Sequence, residues 1–145
     1  MVSCRSYDLP VVRPIAERYI RGCKLEARVQ AEEIDFFKDE FPQADLITMG
    51  MILHDRNLEN KKMLIAKAFR ALPKGGALVA IENIIDDERR QNVAGLIMSL
   101  TMLIEFGDAF DFTGADFASW CMEAGFSRCE VLPLAGPVSA AIAYK

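Results

Sequence analysis

The stretch "MILHDRNLENKKMLIAKAFRALPKGG", residues 51–76, holds the chain's one histidine, His54, where an apolar run gives way to an acid and a helix start. An imidazole titrates near neutrality, at about pH 6.5 when unperturbed, so a ring here is a usable general base. Asp55 follows it directly, and Glu82 with Asn83 ends another apolar run in "ALVAIEN". Asp55 or Glu82 could orient the ring or steady its charged form. The plainer alternative is a histidine bonded to backbone near a helix start, and position alone leaves both open. Asp8, in "YDLP", could accept two hydrogen bonds from a ribose diol, or it could make an Asx turn before a helix. Asp35 and Phe36 could grip and cover an adenine, or simply shape a turn.

These residues need a scaffold, and the pattern of apolar runs supplies one. Short apolar runs alternate with helical-period segments, which predicts an α/β fold with a mainly parallel sheet. Residues 3–7 read as a strand, followed by a helix carrying Ile15, Ala16, Tyr19 and Ile20 on one face, with Pro10 and Pro14 confined to its approach or first turn. "ARVQAEEIDFF" contains a second strand. "ADLITMGMIL", residues 44–53, contains a third, whose continuous apolar character predicts a central position buried on both faces.

Asn57 is a candidate N-cap for a helix with Met63, Leu64, Ala68, Phe69 and Leu72 on one face, and "PKGG" ends it. "ALVAIEN" reads as another buried strand, followed by a long helix from about Asp87 to Phe106. "TGAD" from Thr113 has capping-box spacing and predicts a shorter helix. "RCEVLPL" and "VSAAIAYK", separated by Gly136 and Pro137, predict an antiparallel hairpin at one sheet edge. In an open sheet of this kind ligands collect beyond the carboxyl ends of the strands. Asp8, Asp35–Phe36, His54–Asp55 and Glu82–Asn83 all fall at such ends, on one expected edge.

Composition narrows the class further. With 145 residues, 52% of them hydrophobic and 26% charged, the chain reads as one folded domain. A net charge of −4 with scattered Lys and Arg offers no footprint for a phosphate backbone, so nucleic acid is not an expected partner. Cys4, Cys23, Cys121 and Cys129 lack C-x-x-C spacing and, with a single histidine, give no conventional zinc site. They are expected to be buried free thiols in a reducing, cytoplasmic setting. The N-terminal stretch shows no export signal. The longest apolar stretch, from Val93 to Ile104, is too short to span a bilayer, so no membrane partner is expected.

Taken together, "YDLPVV", "DFFKDEFPQADLITMGMILHD", "ALPKGGALVAIENII" and "FTGADFASWCMEAGF" resemble the catalytic domain of the S-adenosylmethionine-dependent O-methyltransferases of the plant caffeate and acetylserotonin type, with bacterial polyketide and pigment relatives. The resemblance runs over nearly the whole chain. It implies S-adenosylmethionine as cofactor, with Asp8 on its ribose and Asp35 and Phe36 at its adenine. It implies His54 as the base that takes a proton from the hydroxyl of a small acceptor, with Asp55 beside it and Glu82 and Asp111 as flanking acids that orient it. Met98, Met102 and Phe106 would line the acceptor pocket. Family members also pair as dimers, which implies a homo-oligomer.

The departures from the family pattern are specific. Arg56 stands where Trp usually follows "HD", Gly50 where some relatives have Lys, and Phe112 where Arg usually precedes Thr113. The family places an N-terminal dimerisation domain and a glycine-rich strand-loop ahead of the strand that Asp8 ends, and neither is in this sequence. The family sheet runs 3-2-1-4-5-7-6. A single partial catalytic domain over residues 1–145 is therefore expected to lack the central strand, with its neighbours closing up or another chain covering the gap, and to bind cofactor weakly or not at all. Two other readings compete: a non-catalytic interaction module that pairs with itself or a complete homologue, and half of a nicotinamide dehydrogenase. The latter is disfavoured by the absence of G-x-G-x-x-G.

Overall fold

The computed structural model describes residues 2–145, and they fall into two compact units, residues 2–40 and 41–145. In the first, β1 (Cys4–Asp8) and β2 (Val29–Glu33) flank α1 (Arg13–Gly22). The strands pair in parallel from Cys4↔Val29 to Asp8↔Glu33, so Asp8 and the segment leading to Asp35 lie at the same, carboxyl, edge. Pro14 sits in the first turn of α1, where its missing N–H is no loss. The predicted apolar face of α1 is only partly covered. Ala16 and Ile20 are half-buried while Ile15 and Tyr19 are exposed, because a two-stranded sheet offers little surface to pack on.

The second unit contains β3 (Leu46–Gly50), α2 (Leu58–Ala71), β4 (Ala77–Glu82), α3 (Val93–Phe106), α4 (Gly114–Ala124), β5 (Arg128–Pro133) and β6 (Ser139–Tyr144). Its sheet order is β3-β4-β6-β5, with β3 and β4 parallel and the hairpin β5–β6 antiparallel. The expected C-terminal hairpin therefore forms, with β5 at the edge and β6 against β4. Leu64, Ile65 and Ala68 of α2, Leu78 and Ala80 of β4, Ala141 and Ala143 of β6, and Phe117 and Cys121 of α4 are all buried and make the core. Each large aliphatic or aromatic side chain so removed from water contributes roughly 1.5–3 kcal/mol.

Several expectations are corrected. The described strands form two sheets rather than one, β1–β2 in the first unit and β3-β4-β6-β5 in the second. The order 2-1 in one sheet and 3-4-6-5 in the other is the expected family order with its first strand taken out. β3 is an edge strand, not a central one: Leu46, Thr48 and Gly50 are exposed and only Met49 is buried. Continuous apolar character misleads here because it reports what the strand could bury, not what is present to bury it.

The long helix begins at Val93 instead of about Asp87. Asp86 turns its carboxylate onto the backbone N–H groups of Arg90, Gln91 and Asn92, and Asn92 then caps the helix by accepting from the Gly95 N–H. One carboxylate accepting from three backbone N–H groups holds residues 86–92 in a turn that competes with helix. Gly95 lies so close to the end of β4 that an added Cβ would meet the Asn83 carbonyl oxygen at 2.8 Å. The outer side of α3, with Val93, Ile97, Leu100 and Ile104, is exposed apolar surface. The cysteines are free, but only Cys121 is buried. Cys4 and Cys23 are exposed, because β1 and the end of α1 belong to the thinly covered unit, and Cys129 is intermediate.

Candidate active site

Three loops converge at the carboxyl end of β3 and β4. β3 ends at Gly50, and Met51 then takes a positive φ of 53°, an uncommon conformation for a residue with a side chain. Its N–H still donates to the Ile81 carbonyl, so the turn is pinned to the neighbouring strand. Glu82, fully buried at the end of β4, accepts from the N–H groups of Ile52 (3.1 Å) and Leu53 (3.0 Å) through Oε1. These bonds set the loop on which His54 stands. α2 begins a few residues later, where Asn57 caps it by accepting from Asn60 N–H.

The segment between α3 and α4 supplies Asp111. Ile85 N–H donates to the Phe112 carbonyl, and Ile85 bridges Thr113, so residues 111–113 run beside the end of β4. Thr113 and Asp116 form the expected reciprocal capping box, which fixes where the segment enters α4. Asp111 N–H donates to Ser99 Oγ, tying the segment to α3 as well.

His54 is buried at 7% exposure, and its Nδ1 stands 3.7 Å from Oδ1 of Asp111. That separation suits an ion pair when the ring is protonated and is long for a hydrogen bond. Neither oxygen of Asp111 makes a hydrogen bond, and neither does Nδ1 or Oε2 of Glu82. Buried polar atoms left in this condition are costly to fold. Burial holds the His54 pKa below its ordinary value, against the pull of the nearby Asp55 and of a hydrogen bond to the Met51 backbone, so the ring is neutral at neutral pH. Burial also pushes Asp111 up to about 6 and Glu82 up to about 7. Asp55 is half-buried, with Arg56 Nε 3.2 Å from its Oδ1, so its charge is shared with that neighbour.

Thus His54, Asp55, Glu82 and Asp111 meet in one place, though in different capacities. Asp111 faces the ring, Glu82 holds the backbone beneath it, and Asp55 engages Arg56. Sequence reasoning missed Lys61. It is fully buried on α2, its Nζ donates to the Arg56 carbonyl, and it stands 3.7 Å from the centroid of the Phe110 ring. The available signal was its spacing, since Lys61, Leu64 and Ala68 share the i, i+3, i+7 face that α2 turns to the core.

The remaining candidates fall on the end of β1, the segment after β2, and α3. Asp8 is exposed, and its Oδ1 accepts from Leu9 N–H at 2.7 Å. Asp35 makes an Asx turn, accepting from Phe37 N–H, and pairs with Lys38 at 2.9 Å, which lowers its pKa. Phe36 is half-buried beside it. On α3, Met98 is half-buried, Met102 buried and Phe106 exposed. Two clefts, of about 290 and 340 Å³, are lined by other residues: one by the α2–β4 turn with Gln43–Asp45, the other by α1 and β2. Among the described residues, no group of three or more His, Cys, Asp or Glu side chains could hold a metal, and no helix is long and apolar enough to cross a membrane.

A parallel-stranded α/β sheet with an antiparallel hairpin, carrying a buried histidine and carboxylates at its carboxyl end, defines a Rossmann-like fold. Residues 1–127 match the O-methyltransferase domain model, and the chain belongs to that family. It is 33% identical over 139 residues to the tetracenomycin polyketide synthesis 8-O-methyl transferase of Streptomyces glaucescens, covering 96% of this chain and 41% of that protein. It is 32% identical over 144 residues to the acetylserotonin O-methyltransferase of Bos taurus, covering 98% of this chain and 41% of that one. Among solved structures, human N-acetylserotonin methyltransferase in complex with SAM superposes with a TM-score of 0.88 at 26% identity, over 99% of this chain and 40% of that one. The chain therefore spans about two fifths of the length of the relatives it matches.

Proposed function

We propose that this chain carries the acid–base part of an S-adenosylmethionine-dependent O-methyl transfer site, with His54 as general base toward the hydroxyl of a small aromatic or polyketide-like acceptor. The observation that carries this reading is the buried His54 with Nδ1 turned to Asp111. A neutral ring in that setting offers Nε2 to an acceptor hydroxyl. When the proton arrives, the Asp111 carboxylate stabilises the imidazolium that forms, as a buried acid does for a base in acyl-transfer triads. Glu82 contributes by fixing the 52–53 backbone, so that the ring is placed before the acceptor arrives. The names of the relatives, a polyketide 8-O-methyl transferase and an acetylserotonin O-methyltransferase, support a small ring-borne acceptor.

The residues present fit the cofactor. Asp8 is an exposed carboxylate at the end of β1, with lone pairs beyond the one engaged by Leu9, and would take the ribose hydroxyls. Asp35 and Phe36 would hold the adenine, although the Asp35 carboxylate already serves its own turn. Bound there, the cofactor supplies a sulfonium methyl that a deprotonated oxygen can take. No glycine-rich strand-to-helix turn occurs in the 145 residues to meet its remaining parts closely, so the chain in isolation is proposed to hold it weakly. A homodimer and a cytoplasmic setting belong to the same proposal.

The test is S-adenosylhomocysteine formation at millimolar cofactor with hydroxynaphthoates as acceptors, comparing the wild-type chain with His54→Gln. A wild-type signal that falls by roughly 10²–10⁴-fold in the variant is expected. Equal rates in the two would remove His54 as the base.

A further inference from the structure

Nothing in the mechanism above uses Lys61, yet its side chain is fully buried, at 0% exposure. An ammonium is taken out of water only at a heavy cost unless charges and acceptors surround it. Here the surroundings come from every element packed against it. The β3–α2 loop brings His54, Asp55 and Arg56, whose carbonyl accepts from Nζ. The end of β4 brings Glu82. The α3–α4 segment brings Asp108 and Asp111, together with the Phe110 ring at 3.7 Å and the Phe112 ring at 6.0 Å from Nζ. On α2 itself Lys62 is engaged with Glu123 and turned elsewhere, while Lys67 is buried two turns further along.

The lysine thus touches both the loop that carries His54 and the segment that carries Asp111. We propose that Lys61 is a positioning residue for the base: its ammonium ties these two segments together and keeps Asp111 ionised, so that the negative carboxylate facing Nδ1 of His54 favours the ring proton on that nitrogen. This rests on the reading of His54 as the base and names a charge that biases its tautomer, beside the Met51 backbone to which the ring also hydrogen-bonds.

The chemistry is one of competing charges. Burial drives Asp111 toward its protonated form, and Lys61 is the cation that opposes it. Without that cation the Asp111 pKa moves further up toward neutrality, and the protonated acid would turn its O–H to Nδ1. The ring proton would then sit on Nε2, the nitrogen an acceptor hydroxyl must reach, and the base would be blocked.

Because His54 is the only histidine, its ring nitrogens can be read without assignment in a chain labelled with ¹⁵N-histidine. The wild-type chain at pH 7.5 is expected to show the Nδ1–H form, and Lys61→Met to invert the ratio in favour of Nε2–H while circular dichroism shows the fold retained. An unchanged tautomer in the folded variant overturns the proposal. Should Lys61→Met fail to fold, the wild-type chain decides. Lys61 is held down to about 8, so the His54 shifts should show a second inflection near that pH, and a flat response there overturns the proposal equally. A merely structural lysine would move neither signal. Neither cofactor nor acceptor is present in the measurement, so failure of methyl transfer in the assay above would leave this result standing.

Discussion

Nδ1 of His54 and Oδ1 of Asp111 stand 3.7 Å apart in a setting from which water is largely excluded, with His54 at 7% exposure and Asp111 at 1%. The pair is assembled by backbone rather than by its own attraction. Glu82 fixes one side through Ile52 and Leu53, and the Ile85–Phe112 hydrogen bond fixes the other. The ring and the acid are therefore presented to each other by the fold, which is what allows either to be tuned by burial.

Stability should fall as pH rises from about 4 to 7. Glu82 and Asp111 have pKa values raised in the folded chain, to about 7 and about 6, so the folded state holds protons that the unfolded state releases earlier. Their contribution is complete below the unfolded values and is lost through the folded ones, on the order of a few kcal/mol. The lowered pKa of His54 works the opposite way just below pH 6.5 and offsets part of this. Lys61, lowered to about 8, makes the folded state the poorer proton binder between about 8 and 10.5, so stability climbs again there. Urea denaturation at pH 5, 7.5 and 9.5 should give its lowest midpoint at 7.5. A monotonic rise across the three would contradict these assignments.

Glu82→Gln should flatten the acid-side slope of that profile, because the titrating group is gone. It also exchanges a carboxylate that accepts two backbone N–H groups for an amide whose NH₂ end replaces Oε2, which has no hydrogen-bond partner, a loss of roughly 1–3 kcal/mol at pH 7.5. Equal slopes in variant and wild type would show that the acid-side loss arises elsewhere.

Thr113→Ala removes the acceptor for Asp116 N–H at the start of α4, at a cost of about 1 kcal/mol. Thr113 bridges Ile85 and lies two residues from Asp111, so looser capping should also raise amide hydrogen exchange at Phe112 and Thr113. Exchange unchanged there would mean that the segment is held without its cap.

Gly95→Ala places a methyl 2.8 Å from the Asn83 carbonyl oxygen, a backbone atom that cannot swing aside. The expected cost is about 1–3 kcal/mol, against the slight gain that alanine ordinarily brings to a helix. A higher thermal midpoint in this variant would mean that α3 shifts readily on the end of β4.

Calorimetric titration of the chain with S-adenosylhomocysteine should give a dissociation constant no tighter than micromolar, because the glycine-rich turn is not among its residues. Submicromolar binding would show that Asp8, Asp35 and Phe36 suffice.

The local features were readable in the residues because their causes lie within one turn of chain. Asn57 and Thr113 cap the helices expected of them, the "PKGG" stop ends α2 near Ala71, and the C-terminal hairpin forms where Gly136 and Pro137 separate two β-like runs. The motifs around "LHD" and "ALPKGG" likewise carried the family. The start of α3 was misjudged because three backbone N–H groups prefer the Asp86 carboxylate to a helical register. The standing of β3 was misjudged because burial depends on a neighbour that no strand encodes.

What the amino-acid order settled, then, was the set of elements, their caps and the membership of His54 and Glu82 in one motif family, since those follow from short-range preferences and spacing. Only the folded chain decided that Asp111 faces the imidazole, that Glu82 grips backbone instead of the ring, and that Lys61 lies buried among acids. Each of those contacts joins residues far apart in the chain, and their geometry depends on how strands and loops pack, which pairwise spacing along a sequence does not specify.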